Sequence, residues 1–264
     1  MIRSLYTAVS GMITQEAKQD VITNNLANIN TVGFKGENLA AKQFDEVLLY
    51  NYDKKVQGKN VRQNLGNISL GSRIDDVKTN FTQGTIEKTD KTFDFAIEGR
   101  GFFVVNRNDG ISTNNFYTRD GHFHVNSKGL LVNDSGDSVM GKNLQTGAVE
   151  PIKLQEDKVA VDVQGNIMVK GTPTYKLQLV DFKGANADYK NLKKVGDNLY
   201  SGNGAQEDNK ISVKQYNLER SNVNVTREVM EMMTVMRTFE TNSKVIQAID
   251  ETLGKAVNEV GSVR

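Results

Sequence analysis

Val225-Thr226-Arg227-Glu228-Val229-Met230-Glu231-Met232 opens a stretch in which Val225, Met232, Phe239, Ile246, Leu253 and Val260 recur at every seventh position without a polar interruption. Beside that column runs a broken one: Val229 and Met236, then Ser243 and Asp250, then Val257. Two apolar columns averaging about 3.5 residues per turn mark a coiled-coil seam. A helix is therefore expected from just after Ser221-Asn222 to about Val260. The other end of the chain carries its own stripe, with Ile2, Leu5, Val9 and Met12 followed by Ile22, Leu26 and Ile29. Neither helix can bury its stripe alone, which puts assembly ahead of catalysis as the function to test.

The first helix should run from the start of the chain to about residue 30 and stop near Gly33, with Gly11 a weak spot costing about 1 kcal/mol against Ala. Its last turns hold Asn24, Asn25, Asn28 and Asn30. Asn is a poor interior residue because its amide competes for backbone groups. Either those amides bond to something outside the helix, or the end is frayed and solvated. In the last helix, Met230, Met232, Met233 and Met236 crowd the first turns. They read first as fillers of core gaps, and second as an adaptable packing surface.

Between the helices the grammar is that of strands. Phe93, Phe95 and Ile97 alternate with other residues, Phe102-Phe103-Val104-Val105 is a buried-strand run, and Val159, Val161, Val163 and Tyr175, Leu177, Leu179 alternate again. Turns fall at Asn108-Asp109-Gly110, Asp120-Gly121, Lys128-Gly129, Ser135-Gly136 and Gly165-Asn166, steps that supply positive φ. This spacing predicts an antiparallel, sandwich- or barrel-like β-domain with no βαβ unit. The boundaries read as an N-terminal helix over 1–35, an extended or loop linker over 36–66, a β-rich domain over 67–216 and a C-terminal helix over 217–264. Within the linker, Phe44 to Tyr50 is a short helix or strand, and Asp53 to Asn60 a polar, mobile loop.

Composition narrows the function. Among 264 residues, Lys and Arg nearly cancel Asp and Glu, leaving a formal charge of +1, so no basic surface for nucleic acid or anionic lipid is implied. The chain has no cysteine, which excludes disulfides and thiolate metal sites. No apolar run approaches the ~18 residues of a membrane span, and Met1-Ile2-Arg3-Ser4-Leu5-Tyr6 lacks the core of a cleavable signal. Catalytic chemistry is not found. His122 and His124 share one strand face, a spacing that begins a metal site, but the sequence offers no third ligand and satisfied or exposed histidines are the better reading. Gly99-Arg100-Gly101 lacks the third glycine of a dinucleotide loop, Ser69 is not at nucleophile-elbow spacing, Asn133 to Asp137 lacks a closing Glu for calcium, and Asp75 and Asp76 point to opposite faces. No cofactor, metal or small-molecule substrate is expected.

The ends can also be read as motifs. Ser10-Gly11-Met12, Asp20 through Asn28 and Thr31-Val32-Gly33-Phe34-Lys35, together with Ser221-Asn222-Val223-Asn224-Val225 and Glu228, Arg237, Glu240, Asn242, Lys244 and Asp250, closely resemble the terminal signatures of bacterial flagellar basal-body rod and hook proteins. Phe95 through Phe103, Tyr117-Thr118-Arg119-Asp120-Gly121 and Gly196-Asp197-Asn198-Leu199-Tyr200 are similar to that family's central β-domain. Departures are Gln19, Met236 and Thr89-Asp90-Lys91-Thr92. Length and the single modest central domain resemble proximal or distal rod subunits more than the longer hook protein. The resemblance implies a structural, non-enzymatic subunit of the helical tube that carries torque to hook and filament. It implies partners that are copies of itself, other rod and hook subunits and the flagellar type III export apparatus, with no membrane insertion. The subunit-interface residues it suggests, together with the stripes, are Leu5, Val9, Met12, Ile22, Asn24, Asn25, Leu26, Asn28 and Ile29 with Val225, Met232, Met236, Phe239, Ile246 and Leu253. An alternative from another class is a secreted β-domain binding a cell-wall ligand, its helices a dimerisation stalk; a third is a carboxylate enzyme in the β-domain.

Overall fold

The computed structural model describes residues 2–56, 59–108, 113–154, 159–182, 189, 191–208 and 210–260. The mainly β centre between two terminal helices is the architecture expected. Helix α1 spans Ile2–Ala27 and gives way to turns at Asn28, a few residues earlier than its stripe suggests. Helix α2 spans Val225–Lys255 and continues as a wider helical turn over Ala256–Val260. Its start is fixed by Asn224, whose side chain accepts a hydrogen bond from the Arg227 N–H at 3.1 Å and so satisfies one of the unpaired first-turn donors.

The chain folds as two units. One contains the chain up to Ala27, Glu37–Asn80 and the chain from Asn224 on. Here α1 and α2 pair antiparallel, since Asn25 bonds to Glu228 near one end while Gly11 meets Asn242 further along. The stretch 36–66, expected as a linker with a mobile loop, instead supplies three strands. Strand β1 (Glu37–Gln43) pairs antiparallel with β4 (Ser72–Thr79), and β2 (Val47–Val56) with β3 (Lys59–Ile68) as a long hairpin. The expectation failed because nearly every position of β2, β3 and β4 is exposed. A strand with no buried face has no reason to alternate apolar with polar residues, so its period is silent. The Asp53 to Asn60 segment thus runs largely in ladder pairs, with Gln57 and Gly58 outside the described residues. Helix α1 is fixed to this sheet side by small hydroxyls: Thr14 Oγ1 lies 3.1 Å from Ser72 Oγ, and Thr7 Oγ1 donates to the Leu70 carbonyl at 3.0 Å.

The other unit contains Asn28–Gly36 and Phe81–Val223. Among the described residues its main sheet has thirteen strands, and every pairing is antiparallel. The strand Phe102–Asn108 is its hub, pairing with Thr113–Thr118, Ser138–Asn143 and Leu179–Asp181. Because successive side chains leave a strand on opposite faces, Phe103 and Val105 enter one hydrophobic cluster while Phe102 and Val104 enter another. That is why this run reads as continuously apolar: the strand is buried on both faces. Each such side chain contributes about 1.5–3 kcal/mol on burial. Of the turn glycines, Gly129, Gly136 and Gly165 have the positive φ expected. Gly121 does not; a Cβ there would sit 1.7 Å from the Phe95 carbonyl oxygen, so close backbone approach and not turn geometry requires it. The turn at Asn108-Asp109-Gly110 falls largely outside the described residues.

Candidate assembly surface

Helix α2 divides into a used face and a free one. The buried or half-buried positions Glu228, Met232, Val235, Phe239, Asn242, Ile246, Ile249, Leu253 and Ala256 alternate at four and three residues, with half-buried Glu231, Thr238 and Ser243 beside them. One column, Met232, Phe239, Ile246 and Leu253, is the one its sequence spacing picks out, although Val225 at its head is exposed. The second column is Glu228, Val235, Asn242, Ile249 and Ala256, on the opposite flank from the expected Val229, Met236, Ser243, Asp250 and Val257, of which all but half-buried Ser243 are exposed. Two polar residues hid it. Glu228 is buried because its carboxylate accepts from Asn25 Nδ2 at 3.3 Å. Asn242 fits because Gly11 has no side chain: a Cβ there would lie 3.1 Å from the Asn242 amide nitrogen. The glycine that reads as a weak spot in α1 is where α1 makes room for its neighbour.

Asn25 does more than meet Glu228. Its Oδ1 accepts from the Glu37 N–H at 2.9 Å and its Nδ2 donates to the Glu37 carbonyl at 2.8 Å, as an adjoining strand would. One of the run of asparagines therefore bonds outside its helix, to β1 and α2 of the same chain. Asn28 Oδ1 accepts locally from Thr31 Oγ1 at 3.2 Å, and Asn24 is exposed. Of the other expected interface residues, Ile22 is buried, Leu5, Met12 and Leu26 are half-buried and Val9 is exposed, all on α1. Ile29, half-buried, belongs with Asn28 to the β-rich unit.

The free face of α2 is apolar where it begins. Val225, Val229, Met230, Met233 and Met236 are between 36% and 58% exposed. Three of the four clustered methionines thus point outward, and only Met232 turns toward the shielded face, which overturns the gap-filling reading. On α1, Tyr6 and Ile13 are exposed beside Val9, and the β2–β3 hairpin exposes Val47, Tyr52, Val61 and Leu65. Sequence reasoning did not single out Tyr6, Ile13 or the hairpin, and took Met233 first as a core filler; spacing of apolar residues cannot tell a stripe buried within the chain from one left free.

The β-rich unit holds a buried charge cluster that joins Lys35 of a terminal motif to Arg119 of a central one through Glu219. Lys35 Nζ lies 2.6 Å from Glu219 Oε1 and donates to the Thr82 carbonyl at 2.8 Å. Arg119 NH1 lies 3.1 Å from Glu219 Oε2, and its NH2 donates to the Gly99 carbonyl at 2.8 Å. The Gly84 N–H completes the shell of Glu219 at 2.9 Å. Burial pulls the Lys35 ammonium below the ordinary lysine range, against the raising pull of Glu219. The cluster holds Gly33-Phe34-Lys35 and the run into Ser221 on one site.

These features have counterparts in known proteins. A family model described as flagella basal body rod protein matches residues 5–35, one described as flagellar basal body rod FlgEFG protein C-terminal matches 214–259, and one described as flagellar hook protein FlgE/F/G D1 domain matches 96–169. The flagellar basal-body rod protein FlgG of Bacillus subtilis (strain 168) is 33% identical over 98% of this chain and 99% of its own. The chain belongs to the flagellar basal-body rod family. The flagellar hook-basal body complex protein FlhO of the same organism is 31% identical over the whole of both chains, and the basal-body rod protein FlgF of Caulobacter vibrioides is 30% identical, again over the whole of both. The rod protein is a structural subunit of the flagellar basal body, and its family is structural rather than enzymatic. The helix pair and the segments flanking it coincide with the two terminal family models.

Proposed function

We propose that this rod subunit assembles through the apolar face its helix pair leaves uncovered, with Val225, Val229, Met230, Met233 and Met236 of α2 as the principal contact. The observation that carries this reading is the outward position of those five side chains while α1 occupies the opposite flank of the same helix. Within a subunit the four-three alternation along α2 supports a short antiparallel coiled coil. Leu5, Met12, Leu26, Met232, Phe239, Ile246 and Leu253 are only half-buried by that pairing and keep surface for neighbouring copies. Tyr6, Val9 and Ile13 on α1 and the β2–β3 hairpin add further contacts.

The partners are copies of the same chain and other rod or hook subunits. A contact between different patches on successive copies does not close on itself and propagates as a helix. Such a tube, stiffened by apolar burial at each step, transmits torque to hook and filament. Export through the flagellar type III apparatus suits a chain without cysteine, which refolds with no oxidative step.

The same absence of cysteine makes the test clean. Met233→Cys and Met236→Cys each introduce one thiol at the proposed contact. Both thiols should react readily with a maleimide in dilute full-length protein and become protected at least about tenfold on assembly. Equal labelling in dilute and assembled protein would remove α2 from the interface.

A further inference from the structure

Half of the chain's eight methionines lie close together near the start of α2, at Met230, Met232, Met233 and Met236. Met230, Met233 and Met236 follow one another at three-residue steps and are 58%, 54% and 43% exposed. That spacing keeps the three within about a third of the helix circumference and about 9 Å along its axis. The methionines elsewhere are more protected: Met140 is buried, and Met12, Met168 and Met232 are half-buried. The chain has neither cysteine nor tryptophan, so the thioether sulfur is the most readily oxidised group it carries. The sulfur atoms most open to an oxidant are therefore those of the free flank of α2.

We infer that Met230, Met233 and Met236 are a modification site for peroxide oxidants, and that their conversion to methionine sulfoxide switches off subunit assembly. The inference rests on the proposed role of this flank as the contact between copies. In each step the sulfide electron pair forms an S–O bond to one peroxide oxygen while the O–O bond breaks. The sulfur gives up two electrons, and the proton of the transferred oxygen passes to the departing one, which leaves hydrogen peroxide as water. A thioether is an adaptable apolar filler, whereas a sulfoxide is polar and chiral. On the isolated subunit the new oxygen is hydrated and the fold loses nothing, because the buried Val235 sits on the opposite flank. Between copies, up to three such oxygens have to be buried in one apolar stripe with Val225 and Val229, where an unmatched polar group is costly. Assembly covers the same sulfur atoms, so the sensitive state is the unassembled subunit. Enzymatic reduction of the sulfoxide reverses the change.

The test exposes dilute full-length protein to hydrogen peroxide, quenches with catalase and follows each methionine by peptide mass spectrometry. Met230, Met233 and Met236 are expected to gain oxygen at least about fivefold faster than Met12, Met140, Met168 and Met232, since exposure governs the rate. Sedimentation velocity on the same samples should show assembly beginning at a concentration at least about tenfold higher than in untreated protein, at unchanged helicity. Methionine sulfoxide reductases acting on both sulfoxide epimers should restore it. The Met230→Leu/Met233→Leu/Met236→Leu variant keeps the apolar volume without the sulfur and should assemble equally well before and after peroxide. Oxidised wild type that assembles at the untreated concentration overturns the inference, as does a triple variant as sensitive to peroxide as wild type. Met233→Glu/Met236→Glu separates the inference from the reading beneath it. If that variant fails to assemble while the oxidised protein succeeds, only the inference falls; if both assemble, α2 is not the contact.

Discussion

Glu219→Gln is expected to destabilise the β-rich unit by about 3–5 kcal/mol, because it leaves Lys35 and Arg119 buried beside each other without a counter-ion. All three side chains are at most 2% exposed, so water cannot substitute for the lost charge. Lys35→Met should cost less than half as much. It removes one cation from a group of two cations and one anion, and leaves Glu219 bonded to Arg119 and the Gly84 N–H. The burial that already depresses the Lys35 ammonium works in the same direction, since the protein gives up a charge it holds at a cost. Urea midpoints followed by tyrosine near-ultraviolet circular dichroism report the order. The reverse order would show that the ammonium, not the carboxylate, is the keystone of this cluster.

The second large effect separates two adjacent residues of α2. Val235 is 2% exposed on the flank that meets α1, and Met236 is 43% exposed on the free flank. Val235→Asp places an unpaired carboxylate inside the helix pair and should cost at least about 3 kcal/mol, melting helicity in the isolated subunit. Met236→Asp should change subunit stability by no more than about 0.5 kcal/mol, as surface substitutions do. It should nevertheless block assembly, because the same charge then has to be buried between copies. Thermal melts at low concentration, paired with assembly at high concentration, distinguish the two.

The sequence was informative where burial is apolar. The column Met232, Phe239, Ile246 and Leu253 was legible because its hydrophobic side chains repeat with the helical period, and Phe102-Phe103-Val104-Val105 because a strand buried on both faces reads as a continuous apolar run. The second column of α2 was not, since Glu228, buried, and Asn242, half-buried, are polar and fit there only because Asn25 and Gly11 accommodate them. Nor were β1 to β4, whose exposed faces impose no alternation. The terminal motifs explain the gap in a second way. Asn25, Lys35 and Glu228 are recognisable as residue types in fixed places, but their meaning lies in partners distant in sequence: Glu37 and Glu228 for Asn25, Glu219 for Lys35.

The proposed assembly gives one face of α2 to the fold of the subunit and the other to its neighbours in the rod. Sedimentation velocity of the full-length protein against Met233→Glu/Met236→Glu, with helicity recorded on the same samples, tests this most directly. Wild type should form large species as concentration rises, while the double variant stays monomeric with the same helix content. A double variant that still assembles, or a wild type that remains monomeric at millimolar concentration, would contradict the account.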